Sequence, residues 1–383
     1  MDKLRDNIRH IAVRRRPYWR WVVLVIMVMV GVQPLRMEVK LPPQQYVQTS
    51  NPKVGVHTRL TDEVEEWKIQ TSLAMVREMG APWIVEYFPW AYIEPAQGHF
   101  DWAHSDMVIR HARNQGLTII ARLGMIPAWA RPDPQKQATT DTYLDDEHYA
   151  DFAAFVAAFV GRYQEEIRHI IILNEPNLSF EWGFRPVDPA AYTDLLRVVY
   201  PAAHTAHSDI VVLGGALAPT LEPQGSPAGM NDLLYLKGMY AAGAAPYFDA
   251  LAAHAYGLGF APDMPPDPEI INFRRVELLR EIMDANGDNA KPIYVTEAGW
   301  NDHPRWTWAV KPGKRIQYTL DAYTWAAERW SWCPVVAMWM FRTPMLLRNY
   351  QDYYAFVTPE FQPRLIYTAV QVYTGNADGS TAP

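Results

Sequence analysis

From residue 53 onward, short apolar runs alternate with longer stretches whose apolar positions recur at helical spacing. Runs at 53–57, 83–87, 117–123, 170–173, 210–213, 248–253, 292–296 and 335–340 predict eight strands. The fourth, Ile170-Ile171-Ile172-Leu173, is apolar at every position, as a parallel strand covered on both faces should be. Between the strands the pattern predicts helices from Thr61 to Gly80, at 105–114, 149–163, from Asp188 onward, 231–241, from Asp267 to Gly287, 314–330 and 364–373. Tyr149, Phe152, Val156, Phe159 and Tyr163 fall on one helix face. Asp188 followed by Pro189 pairs a cap with proline at the first helical position. Thr61-Asp62-Glu63 offers a cap and an acidic first turn, although Val64 stands where a capping box needs Glu or Gln. Eight strand–helix units over 53–375 predict an α/β fold, a (β/α)8 TIM barrel. A doubly wound sheet is the rival, but it needs a glycine-rich phosphate loop after the first strand, and His57-Thr58-Arg59-Leu60 is not one.

The first 36 residues have a different pattern. Arg14, Arg15, Arg16 and Arg20 precede the run from Trp21 to Val32. Positive charge before an apolar run marks a secretory signal or a signal anchor. Twelve apolar residues span only about 18 Å as a helix, short of the roughly 30 Å hydrocarbon core. A helix from Pro17 to Leu35 would be longer, with Arg20 snorkelling and Tyr18 and Trp19 at the interface. No small-x-small cleavage site follows, so the expectation is an uncleaved membrane-anchor helix within 1–36; the alternative is a removed signal peptide. The positive-inside rule then leaves the barrel extracytoplasmic. Proline-rich 37–52 reads as a linker and 376–383 as a disordered tail.

Composition narrows the chemistry. Hydrophobic residues make up 49% and charged residues 20%, as in a folded chain. Cys333 is the single cysteine, which excludes a disulfide framework and a multi-cysteine metal site. The net charge is −7, with eight basic and two acidic residues in 1–37, so the remainder is more acidic still. That balance argues against nucleic acid as a partner. His57 and His254 do not make a metal triad, and HExxH is absent, so no metal and no cofactor is expected. Nothing in the sequence specifies an oligomeric state.

Barrel enzymes carry reactive groups where strands end at the C-terminal face. Strand four ends in Asn174-Glu175-Pro176 and strand seven in Thr296-Glu297-Ala298-Gly299-Trp300. Either glutamate alone could pair with an arginine or cap a helix. Together they place two carboxylates at one mouth, the arrangement for glycoside hydrolysis. Asn174 could donate to a sugar 2-hydroxyl. Tyr256 could hold the strand-seven carboxylate, and His254 could order the site. Trp90, Trp129, Trp182, Trp300 and Trp339 fall near strand ends, where flat rings could stack on sugars or simply pack. A carboxyl separation of about 5 Å predicts retention, and roughly 6.5 Å or more counts against it.

Over about residues 53–372 the chain resembles the clan A glycoside hydrolases, near family 39 and its endo-acting relatives that cut exopolysaccharide. Trp90 with Ile93-Glu94-Pro95, Gly98 and Asp101-Trp102 is similar to that family's stretch after strand two. Pro127-Ala128-Trp129-Ala130 resembles its segment after strand three, and Pro363-Arg364 with Tyr367 and Ala369 its ending. The resemblance implies a retaining two-glutamate enzyme on a (β/α)8 barrel. In it Glu175 is the proton donor, Asn174 the 2-hydroxyl partner, Glu297 the nucleophile, His254 and Tyr256 the strand-six pair, and Trp339 the platform under the sugar. An oligo- or polysaccharide substrate follows. One departure stands out. Many clan members carry a strand-two arginine that contacts the nucleophile, whereas Val85 and Glu86 occupy that stretch here. Arg122 on strand three could stand in, or the site is tuned differently. A carbohydrate-binding barrel without activity and a transglycosylase remain the alternatives.

Overall fold

Eight parallel strands follow one another in chain order, and β8 pairs back onto β1 to close a barrel. The computed structural model describes residues 44–132 and 139–375, together with Val22. The strands are β1 Val54–His57, β2 Trp83–Pro89, β3 Thr118–Gly124, β4 His169–Ile172, β5 Val211–Leu217, β6 Ala250–Tyr256, β7 Ile293–Gly299 and β8 Val336–Met338. The intervening helices are α1 Glu66–Glu78, α2 Ala103–Asn114, α3 Tyr149–Arg162, α4 Pro189–Ala206, α5 Asp232–Ala241, α6 Val276–Ala285, α7 Pro312–Arg329 and α8 Leu365–Tyr373. This is the (β/α)8 barrel that the periodicity predicts. Apart from Val22, the expected anchor within 1–36 lies outside the described residues, as does the expected tail at 376–383. Among those described, no helix is long and apolar enough to cross a membrane.

Alternation along the strands sorts the apolar side chains into two layers. Val85, Ile120, Ile171, Leu213, Ala252 and Tyr294 fill the barrel interior. Ile84, Ile119, Ile170, Val212 and Ile293 belong to the larger core under the helices, with Phe152, Val156 and Phe159 of α3. The caps act as their residue types predict. Asp188 accepts from the Ala190 and Ala191 amides, and Asn231 from those of Leu233 and Leu234.

Two helix starts differ from expectation. The first helix begins at Glu66 rather than Thr61, with Glu65 as an N-cap residue whose side chain makes no cap bond. The Thr61 hydroxyl instead bonds Glu86 and the Tyr87 carbonyl, and Glu63 pairs with buried Arg342. Residues 61–63 therefore serve the barrel mouth. The sixth helix begins at Val276 rather than Asp267. The Arg275 guanidinium takes the Asp267, Pro268 and Ile270 carbonyls, which holds that segment in a non-helical turn.

Candidate active site

Strand β6 runs three residues further than its apolar pattern suggests, which carries His254 and Tyr256 to the C-terminal mouth. Ala253 pairs with Val295, but the next pair is His254 with Glu297, so β7 holds an extra residue, Thr296. This bulge reverses the alternation. Tyr294 points into the barrel, and a regular strand would send Thr296 the same way; with the shift, Glu297 faces inward instead.

Glu175 reaches the mouth through a strained turn. Leu173 and Glu175 have φ of 63° and 39°, a left-handed region that side chains with a Cβ rarely adopt. The Leu173 amide bonds the Leu123 carbonyl at 2.9 Å and the Glu175 amide the Ala216 carbonyl at 3.2 Å. Neighbouring strands thus hold the turn. An oxygen of Glu175 and an oxygen of Glu297 lie within 4.8 Å of each other, with His254 Nδ1 between them. Nδ1 is 2.7 Å from Glu175 Oε1 and 3.6 Å from Glu297 Oε2.

Glu297 is nearly enclosed. The Tyr256 hydroxyl donates to its Oε2 at 2.7 Å. Arg122 Nη2 meets its Oε1 at 2.7 Å, and His57 Nε2 lies 3.9 Å from that oxygen. Burial pushes this carboxyl up, but His254, Arg122, His57 and the Tyr256 bond outweigh it and hold the group at about 2. Burial and then Arg122 hold the His57 ring well below its ordinary range. Burial and the charge of Glu297 push Tyr256 well above the ordinary phenol value, so its hydroxyl stays a donor. Arg122 faces inward from β3, two residues after Ile120, and pairs in register with Tyr87 of β2. The cation absent from strand two is thus supplied one strand over.

Replacing Arg122 with leucine is expected to raise the Glu297 pKa from about 2 and move the acidic limb of kcat/KM to higher pH. Activity near pH 4 should then be lost before activity near pH 7. A pH–rate profile checks this, and an unmoved acidic limb would count against Arg122 as the nucleophile's counter-charge.

Glu175 and Glu297 line a cavity of about 480 Å³, and a second of about 260 Å³ shares part of its wall. Arg59, Arg122, Asn174, Glu181 and Trp339 line both. Trp339 packs edge-on against His57 at 4.6 Å, and its peptide bond to Met340 is cis. Trp306, Tyr350 and Tyr354 form an aromatic wall of the larger cavity, with Trp306 and Tyr350 stacked at 5.0 Å.

The other tryptophans stand elsewhere. Trp90 is buried among Trp129, Phe152 and Phe155 and donates to Glu94 at 2.7 Å. Trp129 donates to the Glu94 carbonyl at 3.0 Å. Trp182 is buried against Tyr192, and Trp300 is buried under Gly257 with its indole N–H on the Phe260 carbonyl. None of these four lines either cavity; their rings complete the packing of the loops that frame it.

Sequence reasoning passed over Glu181. Asn174 Nδ2 donates to its Oε1 at 3.0 Å. Burial, then the charge of Glu175, pushes this carboxyl up to about 7. No local signal marks it, because it lies six residues past Glu175 in an irregular loop. Among the described residues Glu175, His254 and Glu297 could also offer three atoms to a cation. The Arg122 guanidinium on Glu297 already balances that charge and opposes a second cation.

Residues 61–144 match the family Glyco_hydro_42, described as beta-galactosidase. No curated protein is significantly similar to the chain. Among solved structures, a family 39 glycoside hydrolase from Bacteroides cellulosilyticus superposes with a TM-score of 0.69 at 20% identity, over 87% of this chain and 65% of that one. The chain therefore spans just under two thirds of that relative. A monomeric beta-xylosidase from Caulobacter crescentus gives 0.60 at 20% identity, over 85% of this chain and 69% of that one. A family 39 enzyme from Xanthomonas axonopodis pv. citri gives 0.61 at 16% identity, over 88% and 71%. The fold is shared with these enzymes, and the chain is similar to clan A glycoside hydrolases close to family 39.

Proposed function

We propose that the chain is a retaining glycoside hydrolase that cleaves O-glycosidic bonds of an extracellular or cell-envelope polysaccharide by double displacement. The approach of the Glu175 and Glu297 carboxylates to within 4.8 Å carries the reading. Retention needs carboxyl groups about 5–5.5 Å apart, whereas inversion needs room for a water between them. Glu297, ionised across the working pH range, attacks the anomeric carbon as the bond from that carbon to the leaving oxygen breaks. Glu175 gives its proton to that oxygen, then takes one from the water that displaces Glu297. Tyr256 and Arg122, each on a different oxygen of Glu297, hold its carboxylate plane. Trp339 is the platform for the sugar.

The structural neighbours include a family 39 glycoside hydrolase and beta-xylosidases, which supports a saccharide substrate for this chain. The basic and apolar run at 14–32 supports an anchored chain with its barrel outside the cytoplasm; the alternative is secretion after cleavage. Reducing-sugar release from a panel of β-linked polysaccharides tests the activity. Proton NMR of the first product should show the β-anomer before mutarotation. An initial α-product would overturn the double displacement.

A further inference from the structure

The stretch of β2 where the resembling enzymes have arginine has a second occupant of consequence. Glu86 is 1% exposed and takes no part in the facing pair of carboxylates. Its oxygens accept from the Thr58 hydroxyl at 2.5 Å, the Leu60 amide at 3.1 Å, the Thr61 hydroxyl at 3.0 Å and the Tyr87 amide at 3.1 Å. Three of these donors flank Arg59 on both sides. A buried carboxylate thus clamps the β1–α1 loop and fixes the backbone from which Arg59 projects.

Arg59 lines both cavities, with its guanidinium carbon 5.7 Å from the centre of the Trp339 ring. Its nearest protein anion is Asp62 at 3.7 Å, and both side chains are partly exposed, so that pair contributes little. Among the described residues the Arg59 guanidinium makes no hydrogen bond. The other cavity charges are already met or weakened. Arg122 pairs with Glu297, and Glu175 meets His254. Glu181, pushed up to about 7, carries little charge in mild acid. A planar fork of free donors, held at the edge of a sugar platform, fits a planar oxyanion.

We propose that Arg59 is a specificity-determining residue that selects acidic glycans, receiving the carboxylate of a uronic acid bound against Trp339 in the subsite beside Glu297. This rests on the glycoside hydrolase reading of the same site. Asp62, at the solvent edge, turns outward when the substrate carboxylate takes its place.

The test uses the full-length chain as wild type, Arg59→Ala and Arg59→Lys. The probes are hyaluronan and poly-β-mannuronate, each also as a carboxyl-reduced preparation in which the uronates have become neutral sugars. The wild type should prefer the acidic forms by about 10- to 100-fold, the span of a charge-assisted contact. Arg59→Ala should remove most of that preference, chiefly through KM, and Arg59→Lys should restore part of it. Added salt should weaken it. Equal handling of acidic and reduced forms, failure of every acidic form to bind, or an equal loss on both in Arg59→Ala would overturn the proposal. Calorimetric binding by Glu297→Gln separates the two readings. An acidic preference in binding without wild-type turnover would sink the hydrolase and keep Arg59's role. Turnover without the preference would sink Arg59's role alone.

Discussion

Glu297→Gln is expected to lower kcat by about four orders of magnitude or more, the scale seen when a covalent nucleophile is removed. The amide has nearly the same shape, so the loss reports chemistry rather than packing. In Glu297→Ala, where the side chain is gone, added azide should restore turnover in part, with a glycosyl azide of inverted anomeric configuration as product, because a small anion can enter where Glu297 attacked. Glu297→Gln should also cost stability. Arg122 is 5% exposed, and losing its ionised partner leaves a buried charge uncompensated, which costs about 3–5 kcal/mol. The pH sign follows from a folded pKa of about 2, below the unfolded value near 4.3. The ionised group stabilises the fold above about pH 4.3, and that contribution fades as pH falls towards 2. The wild type should therefore melt well above Glu297→Gln at pH 7 and approach it near pH 2. Residual activity above about one per cent, without azide, would remove Glu297 from the nucleophile's role.

The second large effect concerns Glu175. Glu175→Ala removes the proton donor, so the loss should depend on how much the leaving group needs one. Unactivated glycans should lose about 10²–10⁴-fold in kcat/KM. A dinitrophenyl glycoside, which leaves without protonation, should stay within about tenfold of wild type in kcat/KM. Its kcat should still fall, because the second step has lost its base, and a pre-steady-state burst should appear. An equal loss on both substrates would mean that Glu175 positions the sugar and does not transfer the proton. His254 Nδ1, 2.7 Å from Glu175, is the group through which the proton's place can be followed by NMR.

Much of the architecture was legible because it is local. Apolar strands such as Ile170-Ile171-Ile172 and a helix face such as Tyr149, Phe152, Val156 and Phe159 carry their periods in the sequence. Strand ends then marked where Glu175 and Glu297 had to emerge. The tryptophans were not legible in this way. Trp90 and Trp300 end in the packing while Trp339 reaches the cavity, although all three follow or end strands. An indole beside a strand end is equally suited to either place, and its neighbours across the barrel decide.

By itself the sequence determined the order of eight strand–helix units, the caps that start several helices and the two carboxylates at one mouth. These depend on residues adjacent in the chain. Tertiary structure alone decided that β7 carries a bulge and so turns Glu297 rather than Thr296 inward. It decided that the nucleophile's cation comes from β3, where Arg122 stands in register with Tyr87. It also decided that Glu86 clamps the loop bearing Arg59. Each of these depends on which residues face one another across strands dozens of positions apart. Inter-strand register and packing set that, and no local pattern encodes it.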